Sequence, residues 1–237
     1  MPAIVEYLNK NDFDVVCLQE VTNGKFSPTG TQVFDVMQKQ TKLKGFMSPY
    51  IGFRGDPSSY FANATFWSPK FKLVTHETIW LKRYQEYTTV DFDYRKTPRS
   101  ALATTVAIER KELLVINAHL AWGYTSDERA YQTHQATKLY KWLKANQSIP
   151  FVLTGDFNLN PEAYSVEKLS FLGINCTTKF HIANTLNPRI HKAKNLFPPG
   201  LAVDYIIVDK RLGIKKFWVE EALDLSDHLG LVVEFTI

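Results

Sequence analysis

Short apolar runs that stop abruptly at an acid, an amide or a histidine recur along this chain. They limit what it can become more than any other feature. Residues 151–158, Phe-Val-Leu-Thr-Gly-Asp-Phe-Asn, are the clearest case. Phe151 to Leu153 read as a buried strand, and Gly155 and Pro161 mark a loop. Asp156 and Asn158 sit two apart, so a continued extended backbone sends both side chains the same way. The ending returns elsewhere. Glu20 closes "DVVCLQE", Asn117 and His119 close "LLVINAHL", Asp204 interrupts "LAVDYIIV", and Ser226, Asp227 and His228 precede "LGLVVEFTI". A buried acid is costly unless it is paired or bound to a cation. One such residue is ordinarily a satisfied structural group. Its recurrence on separate strands predicts a single cleft where strand ends converge.

The remaining pattern sets the fold class. "MPAIVEYLNK" reads as a short helix with Ile4, Val5 and Leu8 on one face, and "TQVFDVMQKQTKL" as a second. Residues 60–118 change to strands: "YFANATFWS", "FKLVTHETIWL", "ALATTVAIE" and "ELLVINAHL" are rich in β-branched and aromatic residues. "TSDERAYQTHQATKLYKWLKAN" is the clearest helix. Thr125 with Glu128 suggests a capping box, and Ala136, Leu139, Tyr140 and Leu143 form an inner stripe. Strands "PFVLTG", "LAVDYIIVD" and "LGLVVEFTI" follow. Mixed strands with helices between some of them predict an α+β or layered architecture, with helices covering the outer faces of packed sheets.

At 237 residues and 45% hydrophobic content the chain can bury a large core in one domain. Cys17 and Cys176 lie in apolar surroundings and read as reduced thiols rather than a disulfide framework. No apolar run approaches the ~20 residues that span a bilayer. The opening residues lack the basic and apolar regions of a signal peptide. A cytoplasmic protein without membrane contact, monomeric, is the expectation. The net charge of +4 is compatible with a polyanionic substrate without requiring one.

Carboxylates and amides without clustered cysteines favour a hard, oxygen-loving cation, Mg²⁺ or Mn²⁺. Histidines beside carboxylates supply general acid–base groups. Together they suit hydrolysis of a phosphate ester. Neither a Gly-rich phosphate loop nor a Gly-x-Ser-x-Gly elbow occurs, which argues against P-loop and acyl-hydrolase chemistry.

The segments "LQEV", "NAHL", "GDFN", "VDYIIV" and "SDH" stand in an order that resembles the endonuclease/exonuclease/phosphatase superfamily of DNase I-like phosphoesterases. The resemblance runs from about residue 4 to the C-terminus and implies one domain over 1–237, folded as a four-layer α/β/β/α sandwich. It implies Glu20 as principal metal ligand and Asp227 as a second metal-side carboxylate. Asp156 resembles the residue that positions or activates water, and Asn158 a ligand to phosphate or to that water. His228 resembles the histidine at the scissile phosphate, oriented by Asp204. His119 resembles the second histidine, which stabilises the transition state or protonates the leaving oxygen. Arg99, opening "RSALATTVAI", resembles a basic residue near the phosphate. Asn63 of "FANATFWSP" resembles a substrate-side asparagine. His76, His134, His181 and His191 match no motif and read as surface or packing residues.

The sequence departs from the family in one place. Members normally open with a strand ending in asparagine, and this chain begins at the helix that follows, so the sandwich is expected to lack its usual first strand. Substrate choice rests on the loops. "AWGYTSDER" offers Trp122, Tyr124 and Arg129, and the 184–200 stretch offers Arg189, Lys192, Lys194 and Phe197. Basic groups can hold a nucleic-acid backbone while aromatics stack on unpaired bases. Nucleic acid is the first expectation. A small-molecule or lipid phosphoesterase and a catalytically weak binding member are the alternatives.

Overall fold

The computed structural model describes residues 2–27, 29–91, 93, 95–123, 128–192, 201–220 and 226–237. The chain runs through helix α1 (Pro2–Lys10), strand β1 (Val15–Asn23), helix α2 (Val33–Gln40) and strands β2 (Lys44–Phe53), β3 (Asp56–Trp67), β4 (Lys72–Lys82), β5 (Gln85–Tyr87), β6 (Arg99–Ile108) and β7 (Lys111–His119). Helix α3 (Ala130–Ala145), β8 (Phe151–Asp156), α4 (Tyr164–Ser170), β9 (Ile174–Asn175), α5 (Cys176–Lys179), β10 (Asp204–Val208), β11 (Gly213–Glu220) and β12 (Gly230–Thr236) follow.

The strands form a four-stranded sheet ordered β1-β3-β2-β5, a six-stranded sheet ordered β4-β6-β7-β8-β10-β9, and a β11-β12 ribbon. Alternation along the strands sorts the side chains into layers. Leu113 and Val115 of β7, Val152 of β8 and Ile206 of β10 meet Trp67 and the partly buried Val15, Cys17 and Phe46 of the facing sheet. Leu114 and Ile116, Leu153 and Ile207 turn the other way, onto Ala136, Leu139 and Leu143 of α3. Val5 of α1 and Phe34 and Met37 of α2 cover the outer face of the four-stranded sheet. The architecture is therefore helix, sheet, sheet, helix. Strands buried on both faces explain why the sequence runs apolar without a polar alternate.

Several expectations need correction. β1 does not end at Glu20 but continues to Asn23, and it is half-buried because it pairs with β3 alone among the described residues. Helix α3 starts at Ala130, not at Thr125, which lies outside the described residues. Gln132 closes the helix start by accepting from the Arg129 backbone N–H at 2.9 Å. Glu128 instead receives the Ser165 N–H at 3.0 Å, together with the Ser165 and Thr133 hydroxyls. Asp204 opens β10 rather than interrupting it. β2 and β11 were not foreseen.

Candidate active site

Three strands of the six-stranded sheet deliver the first part of the site in register. His119 of β7 stands opposite Asp156 of parallel β8, and Asp156 stands opposite Asp204 of antiparallel β10. All three belong to the inter-sheet face, where polar tips succeed Val115, Val152 and Ile206. Gly155 makes the close approach possible. Its φ is +143°, and a Cβ there would lie 1.8 Å from the Ala118 carbonyl oxygen. Asn158 does not reach the site by strand alternation, since β8 ends at Asp156. It adopts φ +52° and donates its own N–H to Asp156 Oδ1 at 2.7 Å, so a tight Asx turn folds the amide back. Its Nδ2 then donates to the Leu120 carbonyl at 3.0 Å and lies 3.2 Å from His119 Nε2.

The facing sheet supplies Glu20 through a β-bulge. Leu18 pairs with Ala64 and Val21 with Ala62, so Gln19 and Glu20 together oppose Asn63. Glu20 takes φ +52° there, a conformation rare for a side-chain-bearing residue and typical of functional sites. Gln19 donates to Asn117 Oδ1 at 2.6 Å, and Asn117 Nδ2 spans the sheets to the Leu18 and Ala64 carbonyls at 3.0 and 2.9 Å. Asn117 thus pins the bulge to β7. A second bulge, between Pro49 and Ile51 of β2, turns buried Tyr50 toward His119 Nδ1 at 3.4 Å. Sequence reasoning missed Tyr50. Pro49 inside a β-like run was the signal for its bulge.

The turn before β12 brings in the rest. His228 Nδ1 lies 2.9 Å from Asp204 Oδ2, which also accepts the Thr185 hydroxyl at 2.6 Å. Asp227 precedes it on the exposed side. His191, unmarked by any sequence motif, packs its ring edge-on against that of His228, centroids 5.6 Å apart.

The two histidines carry opposite electrostatics. Burial pushes His119 well below the ordinary histidine range, and the nearby Arg99 and His228 cations push the same way. Its 3.7 Å approach to Asp156 is therefore a dipolar contact rather than an ion pair. Burial would lower His228 too, but Asp204, with Asp156 and Asp227, outweighs it and lifts the ring to about 10. Asp156 is raised, first by burial and then by repulsion from Asp204. Crowding by the cleft walls raises Glu20, opposed by Arg99 and His228. Glu20 is nevertheless exposed to solvent, and water reaching the carboxylate screens it.

The donor set fits a hard divalent ion. Asp156, Asp204 and His228 hold their ligand atoms within 4.8 Å of one another, and Asp227 lies close enough to add to the cost of charging Glu20. Acids outnumber the nearby cations Arg99 and His228. The buried Asn63 Oδ1, opposite the Glu20 bulge, has no hydrogen-bond partner among the described residues. Asn63 itself is fully buried and donates to the Ser100 carbonyl at 2.8 Å. Arg99 is 2% exposed and donates to Thr97 Oγ1 and the Pro98 and Leu120 carbonyls. Its charge acts on Glu20 and His119. Trp122 is 39% exposed, and its carbonyl accepts the Tyr131 hydroxyl at 2.9 Å. Tyr124, Lys194 and Phe197 lie outside the described residues.

Residues 2–228 match the Endonuclease/Exonuclease/phosphatase family. No curated protein sequence matches. Among solved structures, a functionally unknown conserved protein from Enterococcus faecalis V583 superposes with TM-score 0.74 at 19% identity, covering 99% of this chain and 89% of that one. A mannosyl-6-phosphatase of Bacteroides thetaiotaomicron gives 0.69 at 20% identity over 100% and 90%. D. rerio TDP2, complexed with a single-strand DNA product, gives 0.68 at 20% identity over 100% and 91%. At such identities the likenesses show the fold. No helix among the described residues is long and apolar enough to cross a membrane. With the match spanning nearly its whole length, this chain belongs to the endonuclease/exonuclease/phosphatase family of phosphoester hydrolases.

Proposed function

We propose that the protein is a Mg²⁺- or Mn²⁺-dependent phosphodiesterase acting on single-stranded nucleic acid. The observation that carries this reading is the Asp204–His228 ion pair beside Asp156. Asp204 occupies His228 Nδ1 at 2.9 Å, leaving Nε2–H of a cationic ring to receive an anionic phosphoryl oxygen. Asp156 has one oxygen held by the Asn158 N–H at 2.7 Å. The other accepts a proton from the attacking water, and burial raises its basicity for that step. Asn158 spends Nδ2 on Leu120 and His119, so its Oδ1 is the atom that orients the water. Both ring nitrogens of His119 are engaged, by Tyr50 and Asn158, and its role here is to lock Asn158. Donation from His119 to a leaving oxygen requires that lock to open. Glu20 and Asp227 would hold the cation. When bound, it supplies Lewis-acid polarisation of the phosphoryl oxygens.

The substrate class rests on the rim. Trp122 is an aromatic residue 39% exposed, and Tyr131 lies within the electrostatic reach of Arg129 and Arg95. Such a combination suits unpaired bases on a polyanionic backbone. A phosphomonoesterase is the second reading, favoured by the similarity to the Bacteroides thetaiotaomicron protein. A hydrolysis screen with Mg²⁺ separates the two. It compares single- and double-stranded oligonucleotides, a chromogenic phosphodiester and a hexose 6-phosphate. Turnover of the sugar phosphate alone overturns the nucleic-acid reading.

A further inference from the structure

The geometry points to a second metal site beside the catalytic cleft: His191, Asp227 and His228 form a ligand set for a Zn²⁺-class transition ion. Their candidate ligand atoms all lie within 4.8 Å of one another. Two imidazoles and one carboxylate suit Zn²⁺ and its neighbours, whereas Mg²⁺ prefers oxygen ligands throughout. The set shares Asp227 with Glu20 but adds two imidazole nitrogens.

The backbone around these residues is tied down. The Asn187 N–H donates to the Asp227 carbonyl at 2.8 Å, and Asn187 Nδ2 donates to the Ser226 carbonyl at 3.1 Å. The Leu229 N–H donates to the Thr185 carbonyl at 2.7 Å, and Leu186 bridges His228. Residues 185–187 and 226–229 are thereby stitched together. A single turn then carries the chain to His191, whose N–H donates to the Asn187 carbonyl at 2.9 Å. Asn187 is fully buried, so the element that aims His191 is anchored in the fold. The outer shell is present as well. Asp204 binds Nδ1 of His228 at 2.9 Å, which leaves Nε2 as the coordinating atom and gives the carboxylate–histidine–metal arrangement common at such sites.

Coordination would release the Nε2 proton to solvent. It would also withdraw the atom that the phosphoesterase reading assigns to the scissile phosphate. Occupation by Zn²⁺ therefore inhibits Mg²⁺-supported hydrolysis, both by taking Nε2 of His228 and by competing for Asp227, the carboxylate shared with the Glu20 ion. This consequence rests on the proposed function. The binding does not.

The test is titration of the full chain with Zn²⁺ against a chelating dye, backed by Co²⁺ absorption in the visible. The expected result is one bound Zn²⁺, with affinity reduced at least ~10-fold in His191→Ala and His191→Asn and retained in Glu20→Gln. Melting curves identify any variant that has lost its fold, and two replacements at His191 keep the test usable. Unchanged Zn²⁺ affinity in a folded His191 variant, loss of it in Glu20→Gln, or no Zn²⁺ binding by the parent chain overturns the site. A chain that binds Zn²⁺ through His191 but hydrolyses no phosphoester would retain this inference and reject the proposed function.

Discussion

The side-chain amide of Asn158 donates to Nε2 of His119 across 3.2 Å, and the same nitrogen reaches the Leu120 carbonyl at 3.0 Å. A carbonyl only accepts, so that end of the amide must be its nitrogen. Nε2 of His119 then carries the lone pair. Its proton sits on Nδ1, which faces the Tyr50 hydroxyl at 3.4 Å. The contact fixes the His119 tautomer and the orientation of the Asn158 amide together.

His119 is expected to stay neutral through the range where an exposed histidine titrates, about 6.5. Burial, Arg99 and His228 all depress it. A depressed histidine binds fewer protons folded than unfolded. Its share of stability is complete above ~6.5 and is lost as pH falls below that. Imidazole ¹⁵N resonances in metal-free protein report the ring directly. A midpoint near the ordinary value would sink the assignment.

His228 has the opposite sign. Asp204 lifts it to about 10 against the pull of burial. The stability it contributes is present below ~6.5 and is lost as pH rises through about 10. In chelator, urea midpoints of the parent should fall over that window, while those of Asp204→Asn should be flatter. Turnover by Asp204→Asn and by His228→Ala should drop ~10²–10⁴-fold, the usual worth of a positioned proton-handling group. Near-parental activity in His228→Ala would show that phosphate binds elsewhere.

Glu20→Gln should abolish Mn²⁺ binding while leaving the melting temperature unchanged or higher. Glu20 sits strained at φ +52° among other acids, and removing one charge relieves repulsion. Calorimetric titration decides it. Parental Mn²⁺ affinity in the mutant would move the metal to the Asp156–Asp204 side of the cleft.

Much of the site was legible because strand ends announce themselves. Asp156, Asp204, His119 and Glu20 interrupt apolar runs, and the cost of burying them implied a common cleft. The sheet registers then put His119, Asp156 and Asp204 in one row. What sequence could not supply was backbone irregularity. Glu20 reaches the site through a bulge in mid-strand, Asn158 through a left-handed turn and Tyr50 through a bulge beside a proline. None of these follows from period-two alternation. His191 was invisible because its contact with His228 is made by two loops far apart in sequence. β11 escaped because its Lys215 and Lys216 are solvent-facing and, apart from buried Phe217, its apolar positions are only half-covered.

Gly155→Ala should destabilise the fold by ~3 kcal/mol or more, the scale reserved for backbone collisions and strain. The new Cβ would meet the Ala118 carbonyl at 1.8 Å and would sit at φ +143°. β7 and β8 would have to separate where His119 faces Asp156. Urea unfolding measures the loss, and activity should fall with it. A fully stable Gly155→Ala protein would mean that the two strands can move apart at little cost.

A strand supplied ahead of Pro2 should raise both stability and turnover. Among the described residues β1 pairs only with β3, and β12 only with β11. Val15 and Cys17 of β1 and Leu231, Val233 and Phe235 of β12 pack partly buried against the same inter-sheet core. Open strand edges leave backbone donors and acceptors to water and their side chains half-covered. A strand seated between β1 and β12 would pair both edges and continue the four-stranded sheet into the ribbon. It would also stiffen the Glu20 bulge, whose outer edge has no strand beside it among the described residues. The comparison is between this chain and versions extended by an alternating apolar strand, one ending in asparagine and one in alanine. Melting temperature and Mg²⁺-dependent phosphodiesterase rate are read alongside oligomeric state, because a strand from a second copy would satisfy the same edges. Both extensions should raise the melting temperature, and the asparagine version should gain more in rate. If neither gains, the edges of β1 and β12 are sufficient as they stand, and the resemblance to a strand-first family fails at this point.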